Sequence, residues 1–294
     1  MLKPIQHLDL FNLTFRRLIS TAWPIRDSRL HKAIRYCLEG DGKRVRAMMA
    51  MLTCEAFGKD PRRALSSATA VEMIHAYSLA HDDLPCMDND DWRRGKPSLH
   101  KAFDEATALL AGDAILTDAM RILSDESFYP ESSLIPDGDR LQLVCELTVA
   151  AGGQGMVYGQ DLDMFWTGKG SCDAGTLDQI HRGKTGALMG AACAMGAISA
   201  GASREEILAM RQFGVCIGLA FQAIDDVIDK AGLTGKSVGK DQAQGKLTYL
   251  SLFSADEIRT RARTMTSEAQ KKLPQRLKSD ELVRFAEQLV FRIK

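Results

Sequence analysis

This chain has no disulfide framework to build on. Its seven cysteines (37, 54, 86, 145, 172, 193 and 216) are odd in number and scattered, with no Cys-x-x-Cys pair. That excludes a cystine scaffold or a zinc ribbon and fits reduced thiols in the cytoplasm. Net charge is also lacking: lysine plus arginine equals aspartate plus glutamate at 38 each, so no basic field is available for nucleic acid. No apolar export core follows the early Lys3 and Asp9. The uncharged run from Thr185 to Ser203 has the length of a bilayer span, but it is rich in Gly and Ala and poor in Leu, Ile and Phe. It reads as a buried helix, and no membrane span is expected. Period-two alternation over a strand's length is missing as well, which excludes a sheet protein. There is no Walker A loop and no dinucleotide glycine fingerprint.

What is present is helical periodicity. The chain has 294 residues and is 45% apolar, enough for a sizeable core. Leu8, Phe11, Phe15, Leu18 and Ile19 recur at three- and four-residue steps, as do Leu30, Ile34 and Leu38. Further helices are expected over 45–57, from Pro61 to the aspartates near 82, and over 102–123, 141–157, 177–199, 205–228, 256–273 and 280–293. Loops fall at 126–139, 166–175 and 232–245, none long enough to divide the chain. The expected architecture is all-α, a single-domain bundle of long helices over residues 1–294. A faint repeat runs through it: Gly42-Lys43 and Gly183-Lys184 each precede an apolar helix that ends in Asp-Asp.

Five aspartates lie between Asp82 and Asp91, directly after an apolar run, and Arg93 and Arg94 follow at once. A second cluster, Asp225-Asp226-Val-Ile-Asp229, is again in an apolar setting. Asp225 and Asp229 are separated by about 40° around a helix and share a face. Asp82 and Asp88 would be brought together if Pro85 ended the helix after Leu84. Solvated loop aspartates are the bland alternative, but unpaired charge beside a core is costly. Two facing carboxylate walls would suit magnesium, which takes a few carboxylates and fills its octahedron with water and phosphate oxygens. Bases for phosphate are at hand: Lys43, Arg44 and Arg46 at a helix start, Arg93-Arg94, Lys184-Thr185 opening the Gly/Ala helix, and Lys236, Lys240 and Lys246 in the late glycine loop. Glu72-x-x-His75 matches half of a di-iron motif, but no second copy exists and the ligand count fails. Metal, phosphate-binding bases and an apolar interior together suggest ionisation of a diphosphate ester in a dry cavity.

At these residues the chain resembles the short-chain trans-prenyltransferases of the polyprenyl diphosphate synthase family. The resemblance rests on Asp82-Asp-Leu-Pro-Cys-Met-Asp88, Arg93-Arg94-Gly95-Lys96-Pro97 and Phe221-Gln222-x-x-Asp225-Asp226-x-x-Asp229. Gly42-Lys43-Arg44-x-Arg46, Gly159-Gln160-x-x-Asp163, Lys184-Thr185 and Gly245-Lys246-x-Thr248-Tyr249 fall in order around them. It implies an isoprenoid-synthase bundle around a central cavity, a homodimer, and three magnesium ions with substrate bound. Asp82, Asp88 and Asp225 would hold metal, with Asp83 and Asp229 in support. Arg93, Lys184, Gln222 and Lys236 would grip the allylic diphosphate (dimethylallyl or geranyl). Lys43, Arg46, His75 and Arg94 would bind isopentenyl diphosphate, and Thr185 and Gln222 would face the developing cation. Tyr77, five residues before Asp82 and followed by Ser78, is similar to the aromatic floor of the farnesyl (C15) makers. A small residue or methionine there would be similar to the geranylgeranyl (C20) makers. A terpene cyclase normally carries Asn and Ser in its second motif, and a noncatalytic partner subunit usually lacks one acid motif; this chain has both. It departs from the family at Ala47, Trp92, Tyr158 and Leu250, of which Tyr158 is expected to narrow the cavity or shift product length.

Overall fold

The computed structural model describes residues 4–23, 28–40, 42–130, 133–170, 172–230 and 246–291. Its first helices are α1 (Pro4–Ala22), α2 (Arg29–Leu38), α3 (Val45–Ala56) and, after a 3-10 turn at Pro61–Ala64, α4 (Leu65–Asp82). Pro61 opens that turn rather than α4 itself, with Asp60 capping it by accepting from the Arg62 N–H at 2.9 Å. A two-residue hairpin, β1 (Trp92–Arg93) and β2 (Lys96–Pro97), follows. Periodicity gave no sign of it. Arg94 and Gly95 form its turn with φ of 53° and 75°, the left-handed pair that suits a two-residue hairpin.

The expected helix over 102–123 is two, α5 (Leu99–Ala102) and α6 (Glu105–Ser124), because Asp104 starts a new one by accepting from the Thr107 N–H at 2.6 Å. Likewise 141–157 is divided into α7 (Asp137–Ala151) and α8 (Met156–Trp166). A Cβ on Gly155 would lie 2.1 Å from the Ala150 carbonyl oxygen, so only glycine permits that break. Next, α9 (Ala174–His181) runs through a π turn (Arg182–Gly186) into α10 (Ala187–Ser199) without a helix start at Lys184. Then come α11 (Arg204–Lys230), a 3-10 turn (Tyr249–Ser251), α12 (Ala255–Lys271) and α13 (Asp280–Phe291).

The uncharged 185–203 run is buried in the middle of the bundle. α10 packs on α3, α4, α7 and α11, and its small residues let backbones touch. A Cβ on Gly196 would meet the Ala50 carbonyl oxygen at 2.2 Å, and one on Gly214 the Met189 carbonyl oxygen at 2.4 Å. Among the described helices α11 is long and apolar enough to cross a membrane by length and composition, yet it packs between α10 and α12 as a core helix. One apolar cluster joins residues from α1 through α13.

Candidate active site

α4 ends at Asp82, two residues before the Leu84 expected from Pro85. The chain then curls back, and the Asp88 N–H donates to the Asp82 carbonyl at 2.8 Å. That closure is what brings Asp82 and Asp88 together. Burial pushes the Asp82 carboxyl up to about 6 even though Lys184 pulls it down; Asp88 adds to the rise, and Arg93 and Lys246 oppose it. Asp88 pairs with Lys246 Nζ at 2.9 Å. Asp83 is only 1% exposed and gives its oxygens to Arg93, whose Nε lies 3.1 Å from both. It therefore aims Arg93, with Asp90 a second, looser partner at 3.7 Å.

Across α4 is a cationic group. His75 is held well below its ordinary value by burial and then by the charges of Arg46, Arg94, Arg93 and Arg44, so it is neutral. A Cβ on Gly42 would come 2.6 Å from the Arg94 guanidinium, so glycine leaves room for that arginine. Arg46 Nε is buried with no hydrogen-bond partner among the described residues. Burial lowers the Arg46 and Arg94 guanidiniums despite Glu72. Lys43 is exposed on the loop before α3. A cavity of about 80 Å³ lined by His75, Arg94, Arg44, Asp83 and Arg93, with Cys37 on its apolar side, opens here. Guanidinium groups gathered round a cavity suit an anionic ligand.

The residue behind this arrangement is Glu72, 4% exposed. Its Oε1 accepts from the Arg46 and Ala47 N–H groups, each at 3.1 Å, and its other oxygen lies 3.7 Å from Arg44. It caps α3 from a neighbouring helix, which replaces the di-iron reading of Glu72-x-x-His75 with a structural one. The Ala47 N–H is a donor that a proline at this position would lack.

Lys184 and Thr185 lie in the π turn and not at a helix N-terminus, so the first-turn anion site expected for them is absent. The turn is presented by backbone contact: a Cβ on Gly159 would be 2.1 Å from the Lys184 nitrogen, and one on Gly183 would be 2.7 Å from the Gly159 Cα. Lys184 Nζ donates to Asp163 at 2.5 Å. Thr185 Oγ1 donates to Gln222 Oε1 at 3.1 Å, and Gln222 Nε2 donates to Asp226 Oδ1 at 3.1 Å. Asp225 is partly exposed one residue earlier. Lys236 and Lys240 lie outside the described residues, as does the side chain of Asp229. Tyr158 is 47% exposed and does not narrow the interior, contrary to expectation.

Sequence reading missed Glu72 and Asp226 as holders of other groups; only the four-residue spacing of Gln222 and Asp226 could have suggested it. The structure brings Asp82, Asp88, Lys184 and Lys246 into one field. Among the described residues no three Asp, Glu, His or Cys side chains converge as a self-sufficient metal site. The donor set instead fits a hard cation that uses one or two carboxylates and draws the rest from water and phosphate. Lysines now occupy the charge-neutralising positions.

Asp82 and Asp88, where α4 ends, share one electrostatic field with Arg93, Lys184 and Lys246 in an all-helical bundle. The sequence profile described as polyprenyl synthetase matches residues 27–286, and the chain belongs to that family of trans-prenyltransferases. It is 45% identical over 230 residues to the farnesyl diphosphate synthase of Geobacillus stearothermophilus, covering 77% of this chain and 76% of that one. It is 43% identical over 248 residues to the chloroplastic geranylgeranyl pyrophosphate synthase of Catharanthus roseus, covering 83% and 68%. Among solved structures, an apo FPP/GFPP synthase from Zymomonas mobilis superposes with a TM-score of 0.82 at 35% identity, over 98% of this chain and 99% of that one.

Proposed function

We propose that the protein condenses isopentenyl diphosphate head to tail with dimethylallyl and then geranyl diphosphate to give farnesyl diphosphate (C15), in the cytoplasm and as a homodimer. The observation that carries the C15 reading is Tyr77. It is 5% exposed, and its ring meets His81 edge-on at 5.6 Å. Burial and then the Asp82 charge push its phenol up to about 12, so the ring shares the interior with the acid wall. Ser78 donates its hydroxyl to the His75 carbonyl at 3.0 Å and adds no bulk.

Asp82, Asp88 and Asp225, with Asp229 in support, would hold magnesium, three ions with substrate present. Bound there, magnesium supplies positive charge that offsets the departing diphosphate. Arg93, aimed by Asp83, and Lys184, Gln222 and Lys236 grip the allylic diphosphate. Its carbon–oxygen bond breaks with the electron pair leaving on oxygen. Lys43, Arg46, neutral His75 and Arg94 hold isopentenyl diphosphate so that its double bond attacks the allylic carbon. The released diphosphate takes the proton that restores the alkene. The buried apolar walls keep water from the cation.

Incubation with magnesium and both substrates, followed by sizing of the dephosphorylated products, tests the reading: C15 is expected and mostly C20 would overturn it. Tyr77→Ala should lengthen the product; an unchanged length would remove Tyr77 as the floor. The competing C20 reading draws on the plant geranylgeranyl relatives, and the same chromatogram decides between them.

A further inference from the structure

The two acids at 225 and 226 are not equivalent. Asp226 is 8% exposed, and its Oδ2 accepts from the Tyr249 N–H at 2.8 Å while its Oδ1 accepts from Gln222 Nε2 at 3.1 Å. A carboxylate oxygen offers only lone pairs, so the Gln222 amide must turn its NH2 group toward Asp226. Its Oε1 then points the other way, where Thr185 donates to it at 3.1 Å. Tyr249 is itself fixed: it is fully buried, its hydroxyl donates to Asp178 at 2.7 Å, and its ring stacks on His181 at 4.9 Å. The chain from Tyr249 through Asp226 and Gln222 to Thr185 therefore has one polarity, set at its buried end.

We propose that Asp226 is a positioning residue that locks the Gln222 amide with its carbonyl oxygen toward the carbon where positive charge develops. This rests on the reading above that Thr185 and Gln222 face the reacting centre. When the allylic carbon–oxygen bond breaks, the carbon left behind is electron-poor. A fixed carbonyl dipole stabilises it, whereas a flipped amide would present N–H hydrogens and oppose it. The second acid of the pair thus acts through an amide and not through metal.

Asp226→Asn separates these roles because it keeps the side chain's size and the number of hydrogen bonds. Its oxygen still accepts from Tyr249, but its NH2 group now faces Gln222. The Gln222 amide flips, its oxygen accepting from the asparagine and its NH2 donating to the Thr185 hydroxyl. The metal-free melting temperature should hold, while kcat falls by roughly ten- to a hundredfold. Both KM values and the magnesium half-saturation should stay within about twofold. Asp225→Asn is the contrast and should shift the magnesium requirement. The pair Asp226→Asn with Gln222→Glu restores an acceptor on the cavity side, so kcat should recover by about tenfold or more over the single variant. A kcat for Asp226→Asn within about twofold of the parent, while Gln222→Ala is impaired, would overturn the proposal. So would a magnesium shift as large as that of Asp225→Asn. If Gln222→Ala is unimpaired, the placement of Gln222 at the reacting centre fails and the proposal with it. If Asp226→Asn does not fold, the paired variant decides: activity within about tenfold of the parent supports the polarity argument, and an inactive folded protein refutes it.

Discussion

Glu72 and Asp82 lie ten residues apart on one helix and meet opposite demands. Glu72 is a buried acid with its bonds made: two α3 N–H groups and a nearby guanidinium. Glu72→Gln keeps an acceptor but discards the charge that complements the α3 dipole, which lowers stability by about 1–2 kcal/mol. Because Glu72 fixes the start of α3, which carries Arg46 just after Lys43, KM for isopentenyl diphosphate should rise by roughly tenfold, with KM for the allylic substrate unchanged. Steady-state kinetics with each substrate varied in turn checks this, and equal rises in both would refute it. Asp82 is a buried acid held near like charge. Its folded-state value is raised from 3.8 to about 6, so the folded protein retains a proton that the unfolded chain has lost. The stability this gives is complete below about pH 4 and is lost as pH rises through about 6. Asp82→Asn removes the titration. In chelator, urea denaturation should find the variant more stable than the parent by about 3 kcal/mol at pH 8 and equal to it near pH 4, though inactive. Equal stability at both pH values would count against a desolvated Asp82.

Among the elements, what periodicity carries was readable and what backbone contact carries was not. The long amphipathic and buried helices lie where three- and four-residue spacing puts them, and both acid pairs lie near the ends of such helices. The hairpin escaped because an arginine, not the usual asparagine or aspartate, takes the first left-handed position of its turn. The π turn escaped because its cause is remote in sequence: Gly159 on α8 touches Gly183, and no local pattern around Lys184 records that contact. Gly42-Lys43 and Gly183-Lys184 therefore repeat in order but not in form, the first ahead of a helix and the second inside one. The contact can be tested. Gly159→Ala would force its methyl into the Lys184 backbone and cost about 3 kcal/mol, with the π turn displaced. Its melting temperature should fall, and the activity of the folded fraction should fall further than that of Gly138→Ala, which has open space. Equal behaviour of the two variants would mean that the α8 contact does not place Lys184.

For the whole molecule, the relevant surface is the one the bundle leaves uncovered. Large exposed apolar side chains gather on the consecutive helices α6, α7 and α8, among them Leu109, Leu110, Leu141, Val149, Val157 and Phe165. α6 packs on α7 and α7 on α8, so these side chains lie on contiguous helices and not on scattered loops. Exposed apolar area on this scale is a recognised mark of an interface. The same α6 helix braces the neighbourhood of Tyr77 from within: the Leu109 carbonyl accepts from His81 Nε2 at 3.1 Å, and a Cβ on Gly112 would lie 2.0 Å from that ring nitrogen. His81 in turn holds the Tyr77 ring edge-on. In the proposed homodimer, a second copy seated on α6 would thus stiffen the Tyr77 ring from outside. The expected consequence couples assembly to product. Leu110→Glu with Val149→Glu should convert a dimer to a monomer in sedimentation velocity. In the monomer the C20 fraction should rise by about two- to tenfold, the range an edge-to-face ring contact is worth. A monomer that still makes C15 alone would leave the interface in place but detach it from chain length. A variant that remains dimeric would show that the partner docks elsewhere.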